Sequence, residues 1–265
     1  MKKTKKPKIP RAVIGTVLVF LVLLSVFMAG HDLWRQKQAQ QTFEDLADMI
    51  AEPEETVIPQ EAPNQTDDPG DEIEPDTQEG SGKNLALLFE QNQDCIGWLA
   101  IPGTVLDYPL MYTPEDPEKY LRKDFYGAYS ANGVPFLDSR CSLESANLII
   151  YGHNMNNGTM FGSLKNYTDA SYYAEHPTIE LETAAGKALY TIFSVTKVQK
   201  DDAWYRFLTA DTETDFLHQI RYARECSLYD TGIIPAYGQQ LLTLSTCYGS
   251  SGGDGRLLII AAKTE

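Results

Sequence analysis

The spacing of apolar and polar positions divides the chain into three unequal stretches. Residues 12–30 run without a charge, residues 51–82 are almost devoid of large apolar side chains, and from about residue 83 short apolar runs return between turn signals. In that last stretch, residues 84–93 place Leu85, Leu87, Leu88 and Phe89 as a short amphipathic helix, and 96–101 reads as a strand closed by Pro102 and Gly103. Further strands are predicted over 105–112, 133–138 and 146–151, with a short helix at 118–123. Residues 178–182 and 188–199 form a strand pair turning at Gly186.

The period then changes. Phe216, Leu217, Ile220 and Ala223 recur at helical spacing across 212–225, with Asp211 or Thr212 as N-cap. Two last runs, 241–247 and 255–262, read as neighbouring strands joined by a Gly/Ser-rich turn. Short strands broken by turns indicate a barrel or sandwich, mostly β. The helices interrupt the strands rather than alternate with them, so a parallel sheet is not expected.

Upstream, Lys2, Lys3, Lys5, Lys6, Lys8 and Arg11 precede the uncharged run. As a helix at ~1.5 Å per residue, residues 12–30 span about 28 Å, close to a hydrocarbon core of about 30 Å. The expectation is a transmembrane signal anchor, longer than the ~7–15-residue apolar region of a cleaved signal. The basic cluster puts the N-terminus in the cytoplasm and everything after His31 outside the cell membrane. Residues 32–50 are compatible with a continuing helix. Residues 51–82 hold eleven acids and no Lys or Arg, the composition of a disordered linker. At ~3.1 Å per residue its reach is on the order of 100 Å.

Charge and cysteine usage narrow the function. A net charge of −15, with no basic stripe in the body of the chain, excludes nucleic acid as a partner. Four cysteines, Cys95, Cys141, Cys226 and Cys247, show no C-x-x-C pair and no clustering with the four histidines. Neither a metal site nor a cofactor is indicated, and a free thiol is available for chemistry.

Three residues carry that chemistry. Cys247 ends one of the final strands and Arg256 begins the other, so a thiol and a guanidinium lie side by side. A free thiol, with a pKa of about 8.5, gains thiolate character from a nearby cation. His153 follows the strand 146–151 after Gly152, also at a strand end. If the two strands are neighbours, imidazole and thiol share one rim. An imidazole can assist thiolate formation and protonate a leaving amine, and Arg256 can stabilise an oxyanion. Each residue alone is equally compatible with packing; together at strand ends they are not.

Tyr151-Gly152-His153-Asn154, Thr243-Leu244-Ser245-Thr246-Cys247 and Arg256 on the next strand resemble the catalytic signatures of sortases, the cell-surface cysteine transpeptidases of Gram-positive bacteria. The resemblance covers residues 84–263 and is to class B in particular. The helix at 84–93, the helix at 212–225 and the stretch 160–165 fit that class. It implies a sortase-like closed β-barrel of about eight strands, with N-terminal helices and a helix inserted between late strands.

It also implies roles: Cys247 as nucleophile on a C-terminal sorting motif of secreted proteins, through a thioacyl intermediate; His153 as general acid/base; Arg256 supporting substrate and oxyanion. Ser245 would contact substrate or bond to the backbone of its own sheet, and Leu121, Trp204 and Tyr205 would line the motif groove or equally pack in the core. The acceptor would be an amine of a peptidoglycan precursor or cross-bridge, or a pilin-like protein. The chain departs from class B in its Gly/Ser-rich loop after Cys247, where the nearest acid is Asp254. The expected plan is a basic cytoplasmic segment at 1–11, a transmembrane anchor at 12–30, an extracellular juxtamembrane segment and acidic linker at 31–82, and a catalytic domain at 83–265. A purely hydrolytic cysteine protease, a polymerising transpeptidase and a non-catalytic binding domain are the alternatives.

Overall fold

The computed structural model describes residues 11–51, 83–249 and 253–264; the basic segment up to residue 10 and the linker over 52–82 lie outside the described residues. The chain forms two compact units, Met1–Thr42 and Phe43–Glu265.

The second unit is a closed eight-stranded barrel. Its strands are β1 (Cys95–Ala100), β2 (Asp107–Met111), β3 (Phe136–Leu137), β4 (Asn147–Tyr151), β5 (Thr178–Thr183), β6 (Gly186–Gln199), β7 (Leu241–Cys247) and β8 (Gly255–Lys263). They close in the order β1-β2-β3-β4-β7-β8-β6-β5. Closure removes the free edges that short strands would otherwise leave. The expected barrel with added helices is the architecture found.

The sheet is mixed, which the sequence pattern did not anticipate. β4 runs parallel to β7, with Tyr151 opposite Ser245, and β2 pairs in parallel with β3. A parallel pair needs a long crossover; between β4 and β7 that crossover contains β5, β6 and two α-helices. β7, flanked by β4 and β8, is buried along its length until Cys247 emerges at its end. Its three hydroxyl residues are buried with partners: Thr243 donates to Asn147 Oδ1, Ser245 shares a hydrogen bond with Tyr205, and Thr246 donates to the Gly152 carbonyl.

Among the described residues there are four α-helices: α1 (Arg11–Ile50), α2 (Ala86–Gln91), α3 (Ala170–Glu175) and α4 (Glu213–Glu225). α4 is the inserted helix. Thr212 caps it by accepting from the Asp215 amide, and it buries Phe216, Ile220 and Ala223. The short helix expected at 118–123 is a single 3-10 turn, Lys119–Leu121. Within the barrel unit, the last turns of α1 supply Phe43, Leu46 and Ile50 to the core. Phe43 packs edge-on against Tyr108 at 5.2 Å, and the Asn84 amide donates to the Ile50 carbonyl.

The expected membrane span is corrected by the structure. Among the described residues, no helix is long and apolar enough to cross a membrane. The single-pass topology, and with it the membrane as a partner and the cell-membrane location, does not stand.

Candidate functional site

The parallel pairing of β4 and β7 assembles the site. Both strands deliver their C-terminal ends to one rim, so the residues after Tyr151 meet those before Cys247. The Gly152 amide donates to the Ser245 carbonyl at 3.3 Å, and the Thr246 hydroxyl donates to the Gly152 carbonyl at 2.8 Å. The Asn154 side-chain amide donates to the Cys247 carbonyl at 2.8 Å. Three bonds thus fix the backbone beside the thiol. Gly152 is needed for packing: a Cβ there would lie 2.6 Å from the Phe161 ring.

Across β7 and β8, Cys247 and Arg256 are directly opposite each other. Arg256 donates through Nη1 to the carbonyls of Gly253 and Gly255 at 3.2 and 2.9 Å. His153 is largely buried, and its Nε2 lies 2.8 Å from the Leu121 carbonyl oxygen. Because a carbonyl only accepts, that nitrogen carries the proton. Burial, with a further push from the Arg122 charge, holds the imidazole below its ordinary pKa, against the contribution of the Leu121 bond.

Cys247, His153 and Arg256 line one groove of about 660 Å³, together with Leu121, Ser245 and Tyr205. That volume suits a peptide segment. Ser245 is buried and shares a 2.7 Å hydrogen bond with the Tyr205 hydroxyl. Trp204 is placed differently. It is buried, donates from Nε1 to the Thr243 hydroxyl at 3.0 Å, and does not line the groove; Thr243 in turn donates to Asn147. The Trp204 indole therefore ties the 3-10 turn at Ala203–Arg206 to the outside of β7, and only its neighbour Tyr205 reaches the groove.

The groove also contains a polar cluster that the sequence reading passed over. Asp138 is buried and accepts four hydrogen bonds, from the Arg140 amide, Arg140 Nε and Nη2, and the Tyr151 hydroxyl. Burial would raise its carboxyl, but these partners hold it below the usual carboxylate value. Tyr151 stacks on Tyr205, ring centroids 6.3 Å apart and 18° from parallel. Among the described residues no cluster of His, Cys, Asp and Glu could hold a metal.

A sortase domain model matches residues 99–264. Sortase B of Listeria monocytogenes is 33% identical over 166 residues, covering 62% of this chain and 66% of that protein, just under two thirds of its length. Sortase B of Staphylococcus aureus is 28% identical over 178 residues, covering 66% of this chain and 72% of the relative. Among solved structures, a Staphylococcus aureus sortase B–substrate complex superposes with a TM-score of 0.64 at 28% identity, over 69% of this chain and 85% of the other. A Bacillus anthracis sortase B superposes with a TM-score of 0.62 at 29% identity, over 69% and 85%. With the family match extending over more than half of its length, and sortase B recurring in sequence and structure alike, the chain belongs to the sortase family of cysteine transpeptidases.

Proposed function

We propose that the chain is a sortase B-type transpeptidase that cleaves a sorting motif and passes the acyl part to an amine, with Cys247, His153 and Arg256 as its working groups. In the first half-reaction His153 takes the proton of the Cys247 thiol and the sulfur attacks the scissile carbonyl. A carbon–sulfur bond forms, the peptide C–N bond breaks, and the leaving amine takes a proton from His153. In the second, an acceptor amine attacks the thioester and gives up a proton to His153, and the thiolate departs. Arg256, opposite Cys247 on β8, is placed to hold the carbonyl oxygen as negative charge develops on it.

The observation that carries this reading is the convergence of thiol, imidazole and guanidinium on one peptide-sized groove. Two relatives support the substrate classes: a sortase B has been solved with a substrate and another complexed with triglycine. The donor here would be a secreted protein carrying a C-terminal sorting motif, and the acceptor an amine of cell-wall peptidoglycan.

The test is a peptide-library cleavage assay on the full chain, read by mass spectrometry with and without glycine-peptide amines. A thioester on Cys247 and an amide product are expected, both lost in Cys247→Ala. Unchanged turnover in that variant would sink the reading.

A further inference from the structure

The acceptor that orients His153 is a main-chain oxygen, so whatever fixes that stretch of backbone also fixes the imidazole. Leu121 ends the Lys119–Leu121 turn, and the turn is gripped from two sides. On one side Lys119 Nζ and the Tyr120 hydroxyl both bind Asp94 Oδ2, just ahead of β1. On the other side stands Gly133, buried and at φ +61°. The Tyr120 carbonyl accepts from the Val134 amide at 3.0 Å. A Cβ on Gly133 would lie 2.6 Å from the Tyr120 oxygen and 2.8 Å from the Leu121 oxygen. Backbone atoms cannot swing aside as a flexible side chain would, so any larger residue at 133 must displace the oxygen that receives His153 Nε2.

We propose that Gly133 is a positioning residue for the transfer reaction: it seats the Leu121 carbonyl against His153 so that Nε2 remains the donor and Nδ1 is the nitrogen that exchanges protons with the substrate. Nε2 keeps its proton in both charge states of the ring, because its carbonyl partner offers nothing but lone pairs. Nδ1 is then the sole ring atom that can gain or lose one. The inference rests on the acid/base role given to His153 above and assigns that role to an atom. The charged and titratable groups around the ring are Arg122, next to Leu121, and Glu118, Asp138, Arg140, Lys200, Cys247 and Arg256 in the same groove; none is altered by a change at 133.

The test compares Gly133→Ala with Gly127→Ala in the full chain. Gly127 lies in the same loop at φ +82°, and a Cβ added there would meet nothing within 4 Å, so its variant carries the same backbone strain without the contact. In ¹⁵N-histidine-labelled protein, with the His153 signal assigned by its loss in His153→Gln, the parent and Gly127→Ala should show a proton on Nε2 alone. Gly133→Ala should show a mixed tautomer and a kcat lower by about tenfold, a part of the about 10²- to 10⁴-fold that general acid–base catalysis supplies. Its peptide KM should stay within about twofold, and the acidic limb of its pH profile should move lower as the ring loses its acceptor. A Gly133→Ala spectrum and pH profile identical to those of Gly127→Ala would overturn the proposal. A mixed tautomer with unchanged kcat would leave the positioning intact and remove His153 from the acid/base role instead.

Discussion

Tyr205 and Ser245 share a buried 2.7 Å hydrogen bond two residues before the candidate nucleophile. The bond joins the Ala203–Arg206 turn to β7 inside the groove. Truncating either partner strands a buried hydroxyl, at a cost of about 1–3 kcal/mol. Tyr205→Phe and Ser245→Ala should each lower the unfolding free energy by that order. The double variant should lose less than the sum, since neither hydroxyl is then left alone. Denaturant titration of the four proteins measures the coupling; strict additivity would show that the two hydroxyls act separately.

Asp138 gives a pH prediction. Its carboxyl is held below the ordinary value in the folded chain, against about 3.9 when unfolded. The unfolded state therefore takes up the proton first. The stabilisation is present above the unfolded pKa and is lost as pH falls through the folded one. In Asp138→Asn the loss of stability below about pH 4 should be shallower than in the parent. At neutral pH the variant should be less stable by about 1–3 kcal/mol, below the full cost of breaking a buried pair because Arg140 is half exposed. Thermal unfolding from pH 3 to 7 measures both effects.

The four thiols should separate cleanly by reactivity. Cys226 and Cys247 are exposed, whereas Cys95 and Cys141 are buried. Burial pushes Cys95 up to about 11 and raises Cys141 as well. Iodoacetamide on the native protein should label two cysteines and on the unfolded protein four. Cys226→Ser should remove one native label and leave peptide cleavage unchanged.

Phe43 ties the end of α1 to the barrel core through Tyr108. Phe43→Ala should cost about 3–5 kcal/mol, the range for a buried aromatic. A chain beginning at residue 83 should be destabilised by at least as much, because it lacks Leu46 and Ile50 as well. Equal midpoints for the parent and the shortened chain would show that residues 43–50 add nothing to the fold.

Much of the site was legible because it lies where strands end. Cys247, Arg256 and His153 each follow or begin an apolar run, and a strand end beside a glycine or a turn shows in the residue order. Which of two adjacent aromatics enters the groove is not legible in a 3-10 turn: the Trp204 indole goes to Thr243, whereas Tyr205 faces the groove. The partner of His153 could not be read from side chains at all, since it is the Leu121 carbonyl. Nor could the parallel register of β4 and β7, which joins segments about ninety residues apart and depends on the whole barrel closing. The uncharged run at 12–30 led to the membrane expectation through composition, and among the described residues no helix is long and apolar enough to uphold it.

That register has a temporal consequence. A nascent or partly folded chain can contain His153 and the groove aromatics and still have no reactive centre, because the thiol and guanidinium arrive with the last two strands. Local contacts form early and distant pairings late. β7 must slot between β4 and β8, a step that joins the middle of the folded sequence to its last strand. On the proposed reading the chain is chemically silent until that pairing is made.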